Sequence, residues 1–304
     1  MEYVAYAGWK RCVRLSNGTL ELIVTAEVGP RIIRFGRVGG SNEFAEYPGQ
    51  LGLTGGTAYR SYGGHRLWVA PETAGWTDHP DNEAPDVSEN DGETLFTAPV
   101  ESGTGLRKST GVSFLPSGNG VRVLHTVTNL SSSPVTCAPW ALSVMAPGGV
   151  AIIPQEPFVP HTKKVLPARP TVLWNYTDMT DERWSWGKRF IRLRQDPEAD
   201  APQKAGVLTT DGWLAYHRGG RMFVKRFRYE AGAVYPDFNC NAEIFTNARM
   251  LELESLGPLL SLPPGKSAVH SEHWYVFESV SLPSRDDALE ATLGSLLSGT
   301  TRPD

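Results

Sequence analysis

Three carboxylates gather in one late stretch of the chain: Glu243 in "NAEIFTN", and Glu252 and Glu254 in "MLELES". On a strand, Leu251 and Leu253 of "MLELES" point one way and the two glutamates the other. Leucines inward and glutamates to solvent is the simplest reading. On a sheet whose concave face holds a ligand, the same glutamates face that ligand instead. Glu243 is flanked by aromatic and amide groups. A carboxylate bounded by apolar neighbours keeps its proton to higher pH and can serve as acid or base.

A second dense stretch is "YGGHRLWVAPE", residues 62–72. Strand alternation puts Arg66, Trp68 and Glu72 on one face and His65, Leu67 and Val69 on the other. The Gly63-Gly64 pair can bend the chain and relax that separation. Arg66 can donate two parallel hydrogen bonds to vicinal hydroxyls or to a carboxylate; an ion pair with Glu72 is the competing structural use. His65 is either a satisfied structural histidine or an acid. His161, in "PQEPFVPHTKK" with Gln155 and Glu156 close by, is a second candidate acid, or simply a solvated loop residue. Trp68, Trp140, Trp184 and Trp186 fall in loops or at strand ends, where an indole can stack on the apolar face of a pyranose or anchor packing. Arg183 in "DERWSWGKRF" and Asp237 in "YPDFN" add partners for hydroxyls, although Tyr-Pro-Asp is also an ordinary turn sequence.

These residues need elements to position them, and most of the chain reads as short strands punctuated by Gly, Pro, Asn and Ser. A turn at Ser117-Gly118-Asn119-Gly120 precedes an alternating strand from Val121 to Asn129. Further turns are expected at Pro147-Gly148-Gly149, Asp211-Gly212 and Gly219-Gly220. Strands at 8–12-residue intervals imply a large antiparallel sandwich, read as one domain over residues 1–304. Residues 74–96 read as an acidic loop, and residues 155–190 as a second irregular stretch; long loops of this kind tend to carry function. Only the tail is helical, over about 284–298, with Ser284 as N-cap, Asp287 as a capping acid and Leu289, Leu293, Leu296 and Leu297 on one face.

Composition narrows the partners. The 304 residues are 40% hydrophobic and 20% charged, with net charge −4 and no basic block. That argues for a globular chain and against nucleic acid or an anionic membrane as partner. No run has the form of a signal peptide or of a membrane span, so a cytoplasmic protein is expected. Cys12, Cys137 and Cys240 lack zinc-site or disulfide spacing and read as buried free thiols. His270 and His273 alternate onto opposite faces of "VHSEHWYVF", so they are no chelating pair. No metal ligand set, phosphate loop, dinucleotide fingerprint or nucleophile elbow is present in the spacing, and no cofactor is expected.

"LELESLGPLLSLPPGKSAVHSEHWYVF" resembles the end of the galactose-mutarotase-like superfamily, and "LSNGTLELIVTAEVGPRIIRFG" resembles its first strands. "YGGHRLWVAPE", "APWALSVMAPGG", "YTDMTDERWSWGKRF" and "YPDFNCNAEIFTN" together resemble a bacterial family of uncharacterised function within it. The resemblance spans roughly residues 15–280. It implies an all-β supersandwich with a carbohydrate-sized cleft and a sugar or sugar acid as ligand. In aldose epimerases of this fold a late glutamate takes the anomeric proton and a histidine protonates the ring oxygen. Glu254 matches that glutamate best, with Glu252 its rival. The histidine's segment corresponds to Ala138–Ser143 here, which contains none, so the acid is left to His65, His161 or another group. An epimerase-like enzyme, a glycoside lyase or hydrolase using two carboxyl groups such as Glu243 and Glu254 or Glu72 and Glu254, and a non-catalytic sugar-binding protein all remain open, because fold does not decide among them.

Overall fold

A computed structural model describes residues 1–304. Two antiparallel sheets face each other. The first runs, edge to edge, β1 (Glu2–Tyr6), β2 (Trp9–Ser16), β3 (Leu20–Thr25), β4 (Ile32–Arg37), β5 (His65–Ala70), β10 (Val135–Val144), β19 (Leu251–Leu256), β18 (Ala242–Thr246), β15 (Gln203–Val207) and β12 (Thr171–Leu173), with β20 (Leu260–Leu262) also paired to β10. The second runs β13 (Trp184–Trp186), β14 (Phe190–Arg194), β11 (Val150–Pro154), β16 (Trp213–Arg218), β17 (Arg221–Phe227), β21 (Ser267–Phe277), β9 (Val121–Asn129), β8 (Leu106–Phe114), β7 (Glu93–Thr97) and β6 (Asp86–Asn90). Between them lies a core that takes Leu22, Phe35 and Leu253 from the first sheet and Val123, Phe223 and Trp274 from the second. Such a core forms because each strand offers alternate residues to it.

β9 spans the expected residues, and Gly118, Gly148, Gly212, Gly219 and Gly220 all adopt the positive φ their turns require. Two expectations need correction. Residues 74–96 are not one loop: Asp86–Asn90 and Glu93–Thr97 pair as a hairpin across Asp91-Gly92, extending the second sheet at its edge. With only Val87 and Phe96 given to the core and Leu95 facing out, the alternation that marks a half-buried strand is not visible in the sequence. The C-terminal helix covers Asp286–Ser298 and is preceded by Arg285, with no side-chain cap. Ser284 does not cap it; Asp287 instead pairs with Arg285 at 2.6 Å. Leu289 and Leu293 do pack the helix against Ile152, Trp213 and Val224 on the outer face of the second sheet. No helix is long and apolar enough to cross a membrane. All three cysteines are buried free thiols.

The centre of the first sheet positions the chemistry. Strand β10 lies between β5 and β19, with Leu142 opposite both Arg66 and Glu254, and Ser143 opposite both His65 and Leu253. Next to β19 lies β18, where Glu243 pairs with Glu254; next to that lies β15, where Gly206 faces Glu243. A side chain at Gly206 has no room: a Cβ there would stand 2.7 Å from Cys240 Sγ and 3.1 Å from Glu243 Cγ. That glycine lets Glu243 occupy the sheet face.

Candidate functional site

The outer face of β5, β10, β19, β18 and β15 floors a cleft of ≈ 240 Å³. Arg66, Trp68, Trp140, Glu252, Glu254 and Lys204 line it from the strands, and Tyr59, Glu72 and Tyr176 from the surrounding loops. The alternation of residues 66, 68 and 72, and of 252 and 254, thus brings these groups to one face. The glutamates of "MLELES" are not solvated, since Glu254 is 1% exposed and Glu252 7%.

Glu254 is held from one side only. Its Oε2 accepts from Trp140 Nε1 at 2.9 Å and from Lys204 Nζ at 2.8 Å, while Oε1 has no hydrogen-bond partner. Lys204 Nζ also lies 2.9 Å from Glu243 Oε2 and sits 4.7 Å from the ring centres of both Trp140 and Trp174. Burial pushes the lysine's pKa down, but Glu243 and Glu254 outweigh it and hold the pKa well above the ordinary lysine range. Burial, reinforced by Glu254 and Asp237 and opposed by Lys204, raises Glu243 well above the usual carboxylate range. Its Oε2 faces that ammonium, and its Oε1 has no partner. Lys204 is therefore held as an ammonium between Glu243 and Glu254. Asp237 comes close through the turn at Pro236–Asn239, where Asp237, Phe238 and Asn239 have φ of 50°, 56° and 76°. Three successive non-glycine residues in the left-handed region are costly. Burial raises the Asp237 pKa, and Lys204 opposes it.

Arg66 makes a second buried pair. Its Nη2 donates to Glu252 Oε1 at 3.1 Å, its guanidinium carbon lies 4.4 Å from the Trp68 ring centre, and Nε lacks a partner. It pairs with Glu252, not Glu72, which is exposed at the rim. Burial raises the Glu252 pKa against the pull of Arg66. Trp140 is 2% exposed; it contributes its N–H to Glu254 more than a stacking face. Trp68 and Trp174 are half-buried, and Tyr59 and Tyr176 exposed, so these rings are the ones open to a ligand.

Several expected site residues do not line this cleft, His65 among them. His161 is exposed on the loop before β12. Gln155 donates to Gly187 O at 2.7 Å. Arg183 is buried against Asp181 at 2.8 Å and donates to Ala199 O at 3.0 Å. Trp184 is in the core, donating to Gln203 Oε1 at 2.9 Å and stacking on Trp186. Gln155, Arg183 and Trp184 tie down the irregular stretch itself.

His65 faces the core. Its Nδ1 meets Ser143 Oγ at 2.8 Å and its Nε2 meets His125 Nε2 at 2.9 Å. The glycines before it do not bend it toward the cleft. They permit close crossing instead: a Cβ on Gly63 would stand 2.1 Å from Ala45 O, and one on Gly64 2.5 Å from Ile32 O. Around His65 lies a second buried charge cluster. Lys225 Nζ is 3.0 Å from Glu272 Oε1, and Ser255, Trp274 and His270 surround that carboxylate. Burial lowers the pKa of His65 well below its ordinary value and that of His270 to about 3, so both rings are neutral. Separately, a hollow of ≈ 230 Å³ opens beside the Arg31–Asp81 and Lys108–Glu101 ion pairs; each cation there already has its carboxylate.

Lys204 is the residue that sequence reasoning missed. It is a lone lysine in "PQKAGV", and only the pairing of β15 with β18 brings it between two glutamates. The even-numbered spacing to Gly206 was the available signal.

No protein-family model matches the chain, and no curated protein does. Solved structures do. A protein from Klebsiella pneumoniae provisionally named an aldose 1-epimerase aligns with TM-score 0.62 at 11% identity, over 97% of this chain and 86% of that one. A galactose mutarotase-like protein from Lactobacillus casei aligns with TM-score 0.55 at 10% identity, over 88% and 100%. One from Clostridium acetobutylicum aligns with TM-score 0.55 at 9% identity, over 91% and 98%. Two facing antiparallel sheets, a cleft on the outer face of one and these alignments make this chain a protein of the galactose mutarotase-like fold.

Proposed function

We propose that the cleft binds a monosaccharide and interconverts its anomers, with Glu254 as base and Lys204 as the acid partner. The observation that carries this reading is the asymmetry of Glu254, a residue that lines the cleft: one oxygen is fixed by Trp140 and Lys204, and the other, buried beneath the surface, has no hydrogen-bond partner. A base held in this way needs no reorganisation to meet a hydroxyl. The free oxygen takes the proton of the anomeric hydroxyl. The C1–O1 bond gains its second bond, the bond from C1 to the ring oxygen breaks, and the ring oxygen takes a proton from Lys204. Rotation about C1–C2 and the reverse transfers close the other anomer. The two transfers assist each other: once Glu254 is neutral, Lys204 has lost the charge that held its proton, and its acidity rises. Lys204 thus fills the role for which the Ala138–Ser143 segment has no histidine. Arg66, fixed by Glu252, offers its remaining N–H groups to ring hydroxyls, and Trp68 offers a stacking face.

A hydrolase using Glu243 and Glu254 as its carboxyl pair is disfavoured by the same geometry. Glu243 and Glu254 are bridged by one ammonium, which fills the space a glycosidic oxygen or a water needs between two carboxyl groups. The test is polarimetry together with NMR exchange on a panel of aldoses. Catalysed anomer exchange lost in Glu254→Gln is expected. No exchange above the buffer rate with any sugar, by protein that binds sugar, leaves a binding protein and overturns the catalytic reading.

A further inference from the structure

The interior cluster brings three potential ligand atoms together. His65 Nε2, His125 Nε2 and Glu272 Oε2 form a triangle with sides of 2.9, 3.7 and 3.6 Å. The point equidistant from the three lies about 2.0 Å from each, which is the bond length of zinc to imidazole nitrogen and carboxylate oxygen. We propose that His65, His125 and Glu272 bind a divalent first-row transition ion of the zinc type, which ties the two sheets together.

The surroundings fit that assignment. The ligands come from both sheets: His65 from β5 in the first, His125 from β9 and Glu272 from β21 in the second. Each ring's second nitrogen faces a hydroxyl, Ser143 Oγ at 2.8 Å for His65 and Thr110 Oγ1 at 3.4 Å for His125. With an ion bound, both Nε2 lone pairs point inward and both Nδ1 protons point to those hydroxyls, the orienting arrangement common around bound metals. The carboxylate divides its work. Oε1 takes Lys225 and Ser255, while Oε2 takes Trp274 Nε1 at 2.9 Å and keeps its other lone pair for the triangle. Two neutral imidazoles and a carboxylate select zinc-like ions over magnesium and calcium, which take oxygen donors. All three ligand side chains are buried, 1% exposed or less, so the ion is structural and enters as the chain folds.

The rival is Lys225, whose ammonium alone can neutralise Glu272. The full chain, unfolded and refolded with Co²⁺ or Zn²⁺ and then desalted, decides between them. One ion per chain by elemental mass spectrometry is expected, and for Co²⁺ visible ligand-field bands of a low-coordinate site without thiolate charge transfer, since no cysteine is among the ligands. His125→Gln should lose the ion. Less than about 0.1 ion per chain after refolding, or retention undiminished in both His125→Gln and Glu272→Gln, overturns the site. Should either variant fail to fold, the ion count and bands of the unaltered chain still decide. The cleft plays no part in this outcome, so it stands or falls apart from the sugar chemistry.

Discussion

Strands β5, β10 and β19 carry two charge clusters, one on each face. On the outer face stand Arg66, Trp68, Trp140, Glu252 and Glu254; on the inner face His65, Ser143 and Ser255 meet His125, Lys225, His270 and Glu272 from the other sheet. Neighbouring residues in sequence thus have opposite fates. The inner cluster is more fully paired: Lys225 Nζ donates to Ala141 O and Leu253 O as well as meeting Glu272, and each oxygen of that carboxylate accepts at least one hydrogen bond. The outer cluster leaves Glu254 Oε1 and Arg66 Nε without partners. Buried polar groups are normally satisfied. A site that violates this beside a cleft is prepared for a ligand that enters from outside, whereas the inner site, with the ion proposed above or without it, serves the fold.

This contrast can be broken from either face. The largest effect should come from Lys225→Met, which in the metal-free protein strands Glu272 in the core; a loss of about 3–5 kcal/mol in urea unfolding is expected. Sugar binding in whatever still folds should stay unchanged. If Lys225→Met unfolds at the same urea concentration as the parent, the inner cluster does not support the fold. On the outer face, Lys204→Met should lower anomer exchange by about 10²-fold or more at little cost in thermal stability relative to Lys225→Met, because removal of the ammonium lets Glu243 and Glu254 share a proton. Arg66→Lys keeps the charge but loses the fork beside Glu252, and should weaken sugar binding about tenfold by calorimetry with a smaller change in turnover. The smallest effect is a null one with a sign. Because the carboxylates raise the Lys204 pKa above 10.5, the lysine's interactions with them are fully present below pH 10.5 and are lost only as pH rises through the higher folded value. The exchange rate should therefore show no alkaline fall below pH 10.5. A fall centred near neutral pH would assign the acid to another group.

Much of the outer face was legible because β alternation is local. Arg66, Trp68 and Glu72 share a face by counting, as do Glu252 and Glu254. The hairpin at Asp86–Thr97 was hidden because its strands give the core only Phe96 and, partly, Val87, while Leu95 on the other face is exposed, so no alternation stands out. Lys204 and the partners of His65 were out of reach for a different reason. His125 lies 60 residues from His65 and Glu252 lies 186 from Arg66, and only sheet order, which no local pattern encodes, brings them together. The loop residues misled in the opposite direction. His161, Arg183 and Trp184 have the side chains of a sugar site, but loops need the same groups to satisfy their own backbone, as Arg183 does for Ala199 and Ala201.

The central claim is that the free oxygen of Glu254 meets the anomeric hydroxyl. A crystal of the protein soaked with an aldose that it binds tests this directly. The account predicts a pyranose in the cleft with its anomeric oxygen about 2.6–3.2 Å from Glu254 Oε1 and its ring oxygen within reach of Lys204 Nζ. A sugar seated with its anomeric carbon away from Glu254, or bound outside the floor of β5, β10 and β19, would contradict it.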